Sequence, residues 1–368
     1  MLNNMDLTEE QVQEFLAKQD FPPMKNTRIL QAARGEIPDK LPIWIMRQAG
    51  RYLPEFQALR KEHSFFKICQ TPKLACEATL LPIRRYDLDA AIIFSDILVI
   101  PQALGMEVLM VPEKGPVFTS PLTLETYNTL TWENAVNRLS YVGDAIRLTR
   151  HQLEGRVPLL GFSAAPWTLM VYMIEGGSPK AAMHARKWLY AEEATTIDFL
   201  QKLADVIVDY LVMQVKSGAQ MLQLFESCAE FLNVEMYEKL MAPMLKKIRE
   251  GVRDKLLQEN VEPVPMVFFG KGGSHLVDIP IKAGFDVISI DWITDPRSIR
   301  SRHSNVTLQG NLDPCAMYCK KEELVVHIKK MYEKFGFKNY IVNLGHGIHL
   351  DTPTESVATF VETVHSFM

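Results

Sequence analysis

From Pro42 onward, short apolar runs rich in β-forming residues recur along the chain. They occupy residues 42–46 (PIWIM), 90–94 (AAIIF), 158–162 (PLLGF), 221–225 (MLQLF), 265–269 (PMVFF), 287–291 (VISID), 306–310 (VTLQG) and 340–344 (YIVNL). The runs are nearly continuous rather than alternating, the pattern of parallel strands covered on both faces. Helical spacings lie between them, such as Leu200, Leu203, Ile207 and Leu211 before Gly218, and Val136, Leu139, Val142 and Ile146 before Gly155. Eight strand-then-helix units predict an α/β fold, a single (β/α)8 barrel over residues 21–368. A doubly wound open sheet is the competing architecture. Residues 1–20 read as a short helical arm: Thr8-Glu9-Glu10-Gln11 has capping-box spacing, and Val12, Phe15 and Leu16 give it a weak apolar face.

The two architectures differ in where they place polar groups. An open sheet gathers them at one crevice, whereas a barrel carries them after many strands at its carboxyl rim. Here every run leads into such groups: Arg47 and Arg51; Ser95 and Asp96; Ser163, with Tyr172 beyond; Glu226 and Ser227; Lys271; Asp291; Asn311 and Asp313; and His346. That is the barrel pattern.

Composition narrows the classes. Of 368 residues, 47% are apolar and 23% charged, which is ordinary for a globular chain. The net charge of −4 comes without a basic stripe, which argues against nucleic acid as a partner. No apolar run reaches the roughly 18 residues that span a bilayer. The N-terminal stretch carries Asp6, Glu9, Glu10 and Glu14, unlike a signal or transit peptide, so a cytosolic, cytoplasmic location is expected. Five scattered cysteines fit reduced thiols rather than a disulfide framework, and the Asn305-Val306-Thr307 sequon reads as incidental.

Asp96 is the most informative polar residue, because its apolar surroundings would strip water from an ionised carboxylate. An arginine or loop amides could hold it; its place at a strand end favours function. If helical, Arg47 and Arg51 would share a face, presenting two forks to an anionic ligand; the commoner fate of a single arginine is an internal pair, here with Glu55. Arg60 adds to that field or simply occupies an exposed helix position. His346 and His349, or Cys315 and Cys319, have spacings that suit a metal but lack a third ligand, so no metal site is assigned. Ser227 lacks a nucleophile elbow and reads as a hydrogen-bonding group; Tyr172 either packs or faces the cleft. The Gly176-Gly177 and GKGG turns could offer amides to an anion, but turn formation explains them as well. No nucleotide-binding glycine motif is present.

Read in order, MRQAGRYLPEF, AAIIFSDILVIPQALGMEV, GFSAAPWTLMVYMIEGG, QLFES, QGNLDP and NLGHG resemble the uroporphyrinogen decarboxylase family, from about Phe21 to the C-terminus. The resemblance implies a cytosolic barrel, a homodimer with facing clefts, and a reaction without metal or organic cofactor. The four acetate side chains of uroporphyrinogen III would become methyl groups, giving coproporphyrinogen III on the route to haem. It places Arg47, Ala49 (through its backbone), Arg51 and Arg60 near substrate carboxylates, with Tyr172, Ser227 and His346 completing the cleft. Asp96 would accept the pyrrole N–H groups at the centre. Arg47, Tyr172, His346 and a held water remain alternatives for the proton donor. Cys228 departs from the family, where His or Trp often follows the serine. Corrinoid-dependent methyltransferases use a related barrel with a zinc held by histidine and cysteines, but NLGHG has no cysteine nearby.

Overall fold

The computed structural model describes residues 7–18 and 20–367. Its strands are β1 (Ala91–Ile92), β2 (Val108–Val111), β3 (Gly115–Phe118), β4 (Leu159–Ala164), β5 (Met221–Glu226), β6 (Met266–Gly270), β7 (Val287–Ser289), β8 (Thr307–Leu312) and β9 (Tyr340–Leu344). Seven of them pair in parallel in the order β1-β4-β5-β6-β7-β8-β9. The remaining stave is the 42–46 run. Ile43 bridges Val342 in parallel, Val342 N–H donates to the Pro42 carbonyl at 2.8 Å, and Asp89 N–H donates to the Ile43 carbonyl at 2.8 Å. These bonds join β9 to the β1 side and close the ring, so the fold is a (β/α)8 barrel and not an open sheet. The first stave forms only a bridge because Pro42 has no N–H and the Ile43 N–H is taken by the Asp89 side chain at 2.9 Å.

Strand alternation builds two cores. Trp44, Met46, Leu160, Met221, Val267, Phe269, Val287 and Ile341 fill the barrel interior, which Ile29, Leu30, Ala32 and Ala33 of the helix Arg28–Ala33 plug from below. Their neighbours in sequence, such as Ile43, Ile45, Leu222, Leu224, Phe268 and Val342, face the helical shell. Each strand is therefore apolar on both faces, which explains the unbroken runs. Within the interior, Trp44 Nε1 donates to Gln309 Oε1 at 2.9 Å, and Gln309 Nε2 donates to Ser289 Oγ at 3.0 Å and Gln223 Oε1 at 3.2 Å.

The 200–211 periodicity lies in the helix Glu193–Lys216. The 136–146 pattern is divided between a short 3-10 turn, Val136–Leu139, and the helix Ser140–Gln152. The arm forms a helix, Glu9–Ala17, with both capping-box bonds between Thr8 and Gln11. Lys73 Nζ donates to the Leu7 carbonyl at 2.5 Å and an Arg147 guanidinium N–H to the Lys18 carbonyl at 3.1 Å, tying the arm to the shell. Residues 1–6 of the arm, Gln19 and Met368 lie outside the described residues. The antiparallel hairpin of β2 and β3 was not anticipated from the sequence; it bridges the Gly177 turn through Val117. All five cysteines are free thiols.

Candidate active site

The rim begins at Arg47. The condition for a face shared with Arg51 is not met: the Arg47 φ of 66° places it in the left-handed region, at a turn rather than in a helix. Buried Gln48 holds that turn, accepting the Ile45 N–H at 3.1 Å and donating to the Ala90 carbonyl at 3.0 Å. Buried Asn343 accepts the Met46 N–H at 2.9 Å, and Ile348 N–H donates to the Met46 carbonyl at 2.9 Å. Strand ends on both sides thus set the direction in which Arg47 leaves. Its side chain crosses Gly347, where an added Cβ would lie 2.4 Å from Arg47 Cδ; a Cβ on Gly50 would lie 2.8 Å from the Arg47 carbonyl oxygen. The approach at Gly50 is to backbone and requires glycine, whereas a side chain at Gly347 would displace Arg47 from its present course.

Arg51 follows in the turn before the helix Pro54–Glu62 and is exposed. The internal pair considered for it does not form, because Glu55 accepts from Arg85 at 2.6 Å. Among the described residues, Arg47 and Arg51 have no acidic partner. Arg60 sits one side of this field: it donates to the His63 carbonyl at 2.6 Å and lies 5.8 Å from the centre of the Phe65 ring. Burial and the neighbouring Arg51 charge lower its pKa. Half-buried Ala49 has no hydrogen-bond acceptor for its N–H among the described residues.

Asp96 is half-buried beyond β1 and accepts the Leu98 N–H at 2.8 Å. Burial raises its pKa, while the Leu98 amide and the Arg47 guanidinium act in the opposite direction. The Arg47 charge also reaches Tyr172 and His346, so these four residues share one site although they follow four different staves. Burial raises the Tyr172 hydroxyl and keeps it protonated, with Cys228 beside it pushing the same way. Burial first and Arg47 second lower His346 to about 4, leaving a neutral imidazole at physiological pH. Its ring stands edge-on to Trp292 at 6.0 Å. His349 turns elsewhere, 3.7 Å from Cys315 Sγ and against Tyr318.

Ser227 joins the site through its backbone, donating its N–H to Thr168 Oγ1 at 2.8 Å. Thr168 stands on the helix Pro166–Glu175, which carries Tyr172. The GKGG amides are not free for an anion: Gly272 N–H donates to Asp291 Oδ2 at 2.7 Å, and Lys271 pairs with Glu230 at 2.8 Å. Glu226 escaped the sequence reading except as a strand end, yet it accepts the Thr168 hydroxyl from a fully buried position. The available signal was an acid ending an otherwise apolar run.

The arrangement suits an anion with several carboxylates around a cationic or N–H-bearing centre: the Arg47 guanidinium acts on a poorly solvated carboxyl, and Arg51 and Arg60 extend the positive field beyond it. Against known proteins, the family described as Uroporphyrinogen decarboxylase (URO-D) matches residues 24–367. A uroporphyrinogen decarboxylase from Drosophila virilis is 50% identical over 369 residues, covering 95% of this chain and 96% of its own. That of Homo sapiens is 48% identical over 353 residues, with 95% and 96% covered. In the solved structures, a methyltransferase from Methanosarcina mazei superposes with a TM-score of 0.78 at 18% identity, over 95% of this chain and 99% of that one, a likeness of fold alone.

Proposed function

This chain belongs to the uroporphyrinogen decarboxylase family, and from that premise we propose that the cleft at its carboxyl rim holds the tetrapyrrole, with Asp96 at the pyrrole nitrogens and Arg47, Arg51, Arg60 and the Ala49 N–H on its carboxylates. The activity is carboxy-lyase chemistry: the four acetate side chains of uroporphyrinogen III become methyl groups, giving coproporphyrinogen III. Tyr172, Ser227 and His346 complete the contacts. The observation that carries this reading is Arg47, which has no acidic partner among the described residues and whose charge acts on Asp96, a carboxyl that accepts the Leu98 N–H.

Each acetate reacts in a balanced sequence. A proton adds to a pyrrole ring carbon and makes the ring cationic. The bond between the methylene and the carboxylate then breaks, CO2 leaves, and the electron pair neutralises the ring as an exocyclic methylene. A second proton reaches that methylene while the ring carbon returns its own, leaving a methyl group. The substrate is the electron sink, so the chain must position it, supply protons and balance the transient cation. Ionised Asp96 provides that balance. Neutral His346 is not a reservoir of protons at physiological pH, and the protonated Tyr172 hydroxyl is a weak acid, so a water held at the cleft joins Arg47 among the candidates for proton delivery.

Assembly as a homodimer with facing clefts is supported by the apolar groups exposed on the rim loops, Trp292, Ile293, Tyr318 and Leu350. Sedimentation at twice the monomer mass would bear this out. A cytosolic setting belongs to this reading. Among the described residues no helix is long and apolar enough to cross a membrane. The deciding experiment is incubation with uroporphyrinogen III under anaerobic, dim conditions without added cofactor. Coproporphyrinogen III and CO2 are the expected products; their absence with folded protein overturns the proposal.

A further inference from the structure

We propose that Glu226, the last residue of β5, is a positioning residue that acts through Thr168 to set Ser227 and Tyr172 relative to each other, and thereby the grip of the cleft on a substrate carboxylate. The proposal rests on the reading of Ser227 and Tyr172 as substrate contacts.

The geometry is a directed chain of hydrogen bonds. Glu226 is 0% exposed. The Thr168 hydroxyl donates to Glu226 Oε1, the Tyr237 hydroxyl reaches Oε2 at 3.5 Å, and the Cys228 N–H also points to the carboxyl. Because the single Thr168 proton goes to Glu226, the Thr168 oxygen presents a lone pair to the Ser227 N–H at 2.8 Å. Thr168 and Tyr172 are four residues apart on one helix and share a face. Next to Thr168, Trp167 Nε1 donates to the Cys228 carbonyl at 3.0 Å. The loop bearing Ser227 and the helix bearing Tyr172 are thus joined at a seam whose one carboxylate is Glu226. A charge-assisted bond is about twice as strong as a neutral one, so the ionised acid holds the seam most firmly.

Burial also raises Glu226 to about 7, so its charge changes in the neutral range. The titratable groups facing it are Tyr237, from the helix Val234–Gln258, and Cys228 on the adjoining loop. Lys271 offers only its backbone N–H, to the Glu226 carbonyl, and turns its ammonium to Glu230. The sign follows. The folded value lies above the ordinary 4.5, so the native state prefers neutral Glu226, and this residue's contribution to stability declines as pH rises from about 4.5 through about 7. Grip on substrate changes the other way, tightening as the carboxyl ionises.

The test compares Glu226→Gln, Thr168→Val, Thr168→Ser and Ser227→Ala with the parent chain. Glu226→Gln and Thr168→Val are expected to raise KM for uroporphyrinogen about tenfold with kcat within about threefold. Thr168→Ser, which keeps the hydroxyl, should restore KM. The parent should lose kcat/KM on the acid side of about pH 7, and Glu226→Gln should lack that step. Glu226→Gln should also melt no lower than the parent above that pH, which a merely structural role does not predict. If Ser227→Ala leaves KM unchanged, the substrate-contact reading fails. If Ser227→Ala raises KM while Glu226→Gln leaves both KM and the pH step unaltered, the inference is overturned. Should Thr168→Val not fold, Glu226→Gln decides alone.

Discussion

Asp89 and Asp96 flank the same short strand, β1, at opposite ends of the barrel. Asp89, on the amino side, accepts from Asn26 Nδ2 at 2.8 Å, an Arg28 N–H at 3.2 Å, the Ile43 N–H at 2.9 Å and His365 Nε2 at 2.8 Å. Burial alone would raise its pKa, but the bonds from His365, Asn26 and Ile43 prevail and hold it below the usual carboxylate value. Asp96 has the Leu98 amide, and there burial prevails and the pKa rises. The arginines repeat the contrast: Arg28 pairs with Asp39 and Asp89, whereas Arg47 and Arg51 have no acidic partner among the described residues. One end of the barrel spends its polar groups on closure. The other leaves them for something outside the chain, which is how barrels divide stability from chemistry.

Substitution should separate the two ends. Asp89→Asn has the largest expected cost in stability, about 3 kcal/mol, because it leaves buried donors without a charged acceptor. Urea unfolding would measure it, with kcat per folded molecule within about twofold of the parent; a large loss of kcat would break the contrast. Asp96→Asn should do the reverse, lowering kcat by about 10²–10³-fold, the scale of a lost electrostatic group at a reacting centre. Its melting temperature should stay level or rise, since a poorly solvated charge is removed; turnover near that of the parent would take Asp96 out of the mechanism.

Arg47→Met comes next, with kcat/KM reduced about 10- to 100-fold for the loss of a charge-assisted contact. Little stability should be lost, because the guanidinium has no hydrogen-bond acceptor among the described residues; a drop in melting temperature comparable to that of Asp89→Asn would show an unrecognised structural role.

The smallest effect is in pH dependence. His346 has its folded value lowered from 6.5 to about 4, so its contribution is present above 6.5 and lost as pH falls toward 4. In melting temperature against pH, His346→Gln should remove that acid-side loss, leaving the opposite slope from Glu226, whose contribution declines as pH rises from about 4.5 through about 7. Asp89 has its folded value depressed, so its contribution persists through the same window and is lost only as pH falls below the ordinary carboxylate value of 3.8. A decline that survives His346→Gln unchanged would place the titrating group elsewhere.

Much of this was legible from periodicity. Unbroken apolar runs mark strands buried on both faces, and the polar residues after them mark the rim, so the barrel and Arg47, Asp96, Ser227 and His346 could be read as strand-end groups, whereas Tyr172, inside the helix Pro166–Glu175, entered the site only through the family resemblance. The hairpin of β2 and β3 was missed because its residues are only partly buried and lie outside the repeating unit. The shared helical face open to Arg47 and Arg51 on spacing does not form. A spacing of four implies a shared face only when the backbone is helical, and Gln48 and Asn343 hold Arg47 in a left-handed turn.

By itself, the sequence determined the alternation of strand and helix and the chemical character of each strand end, because both depend on residue order and local burial preference. The tertiary structure alone decided which charges found partners. Glu55 went to Arg85 and left Arg51 open, Asp89 collected four donors and left Asp96 with one, and Glu226 was buried against hydroxyls instead of a cation. Pairing depends on distances between residues far apart in the chain, and those distances exist only once the ring has closed.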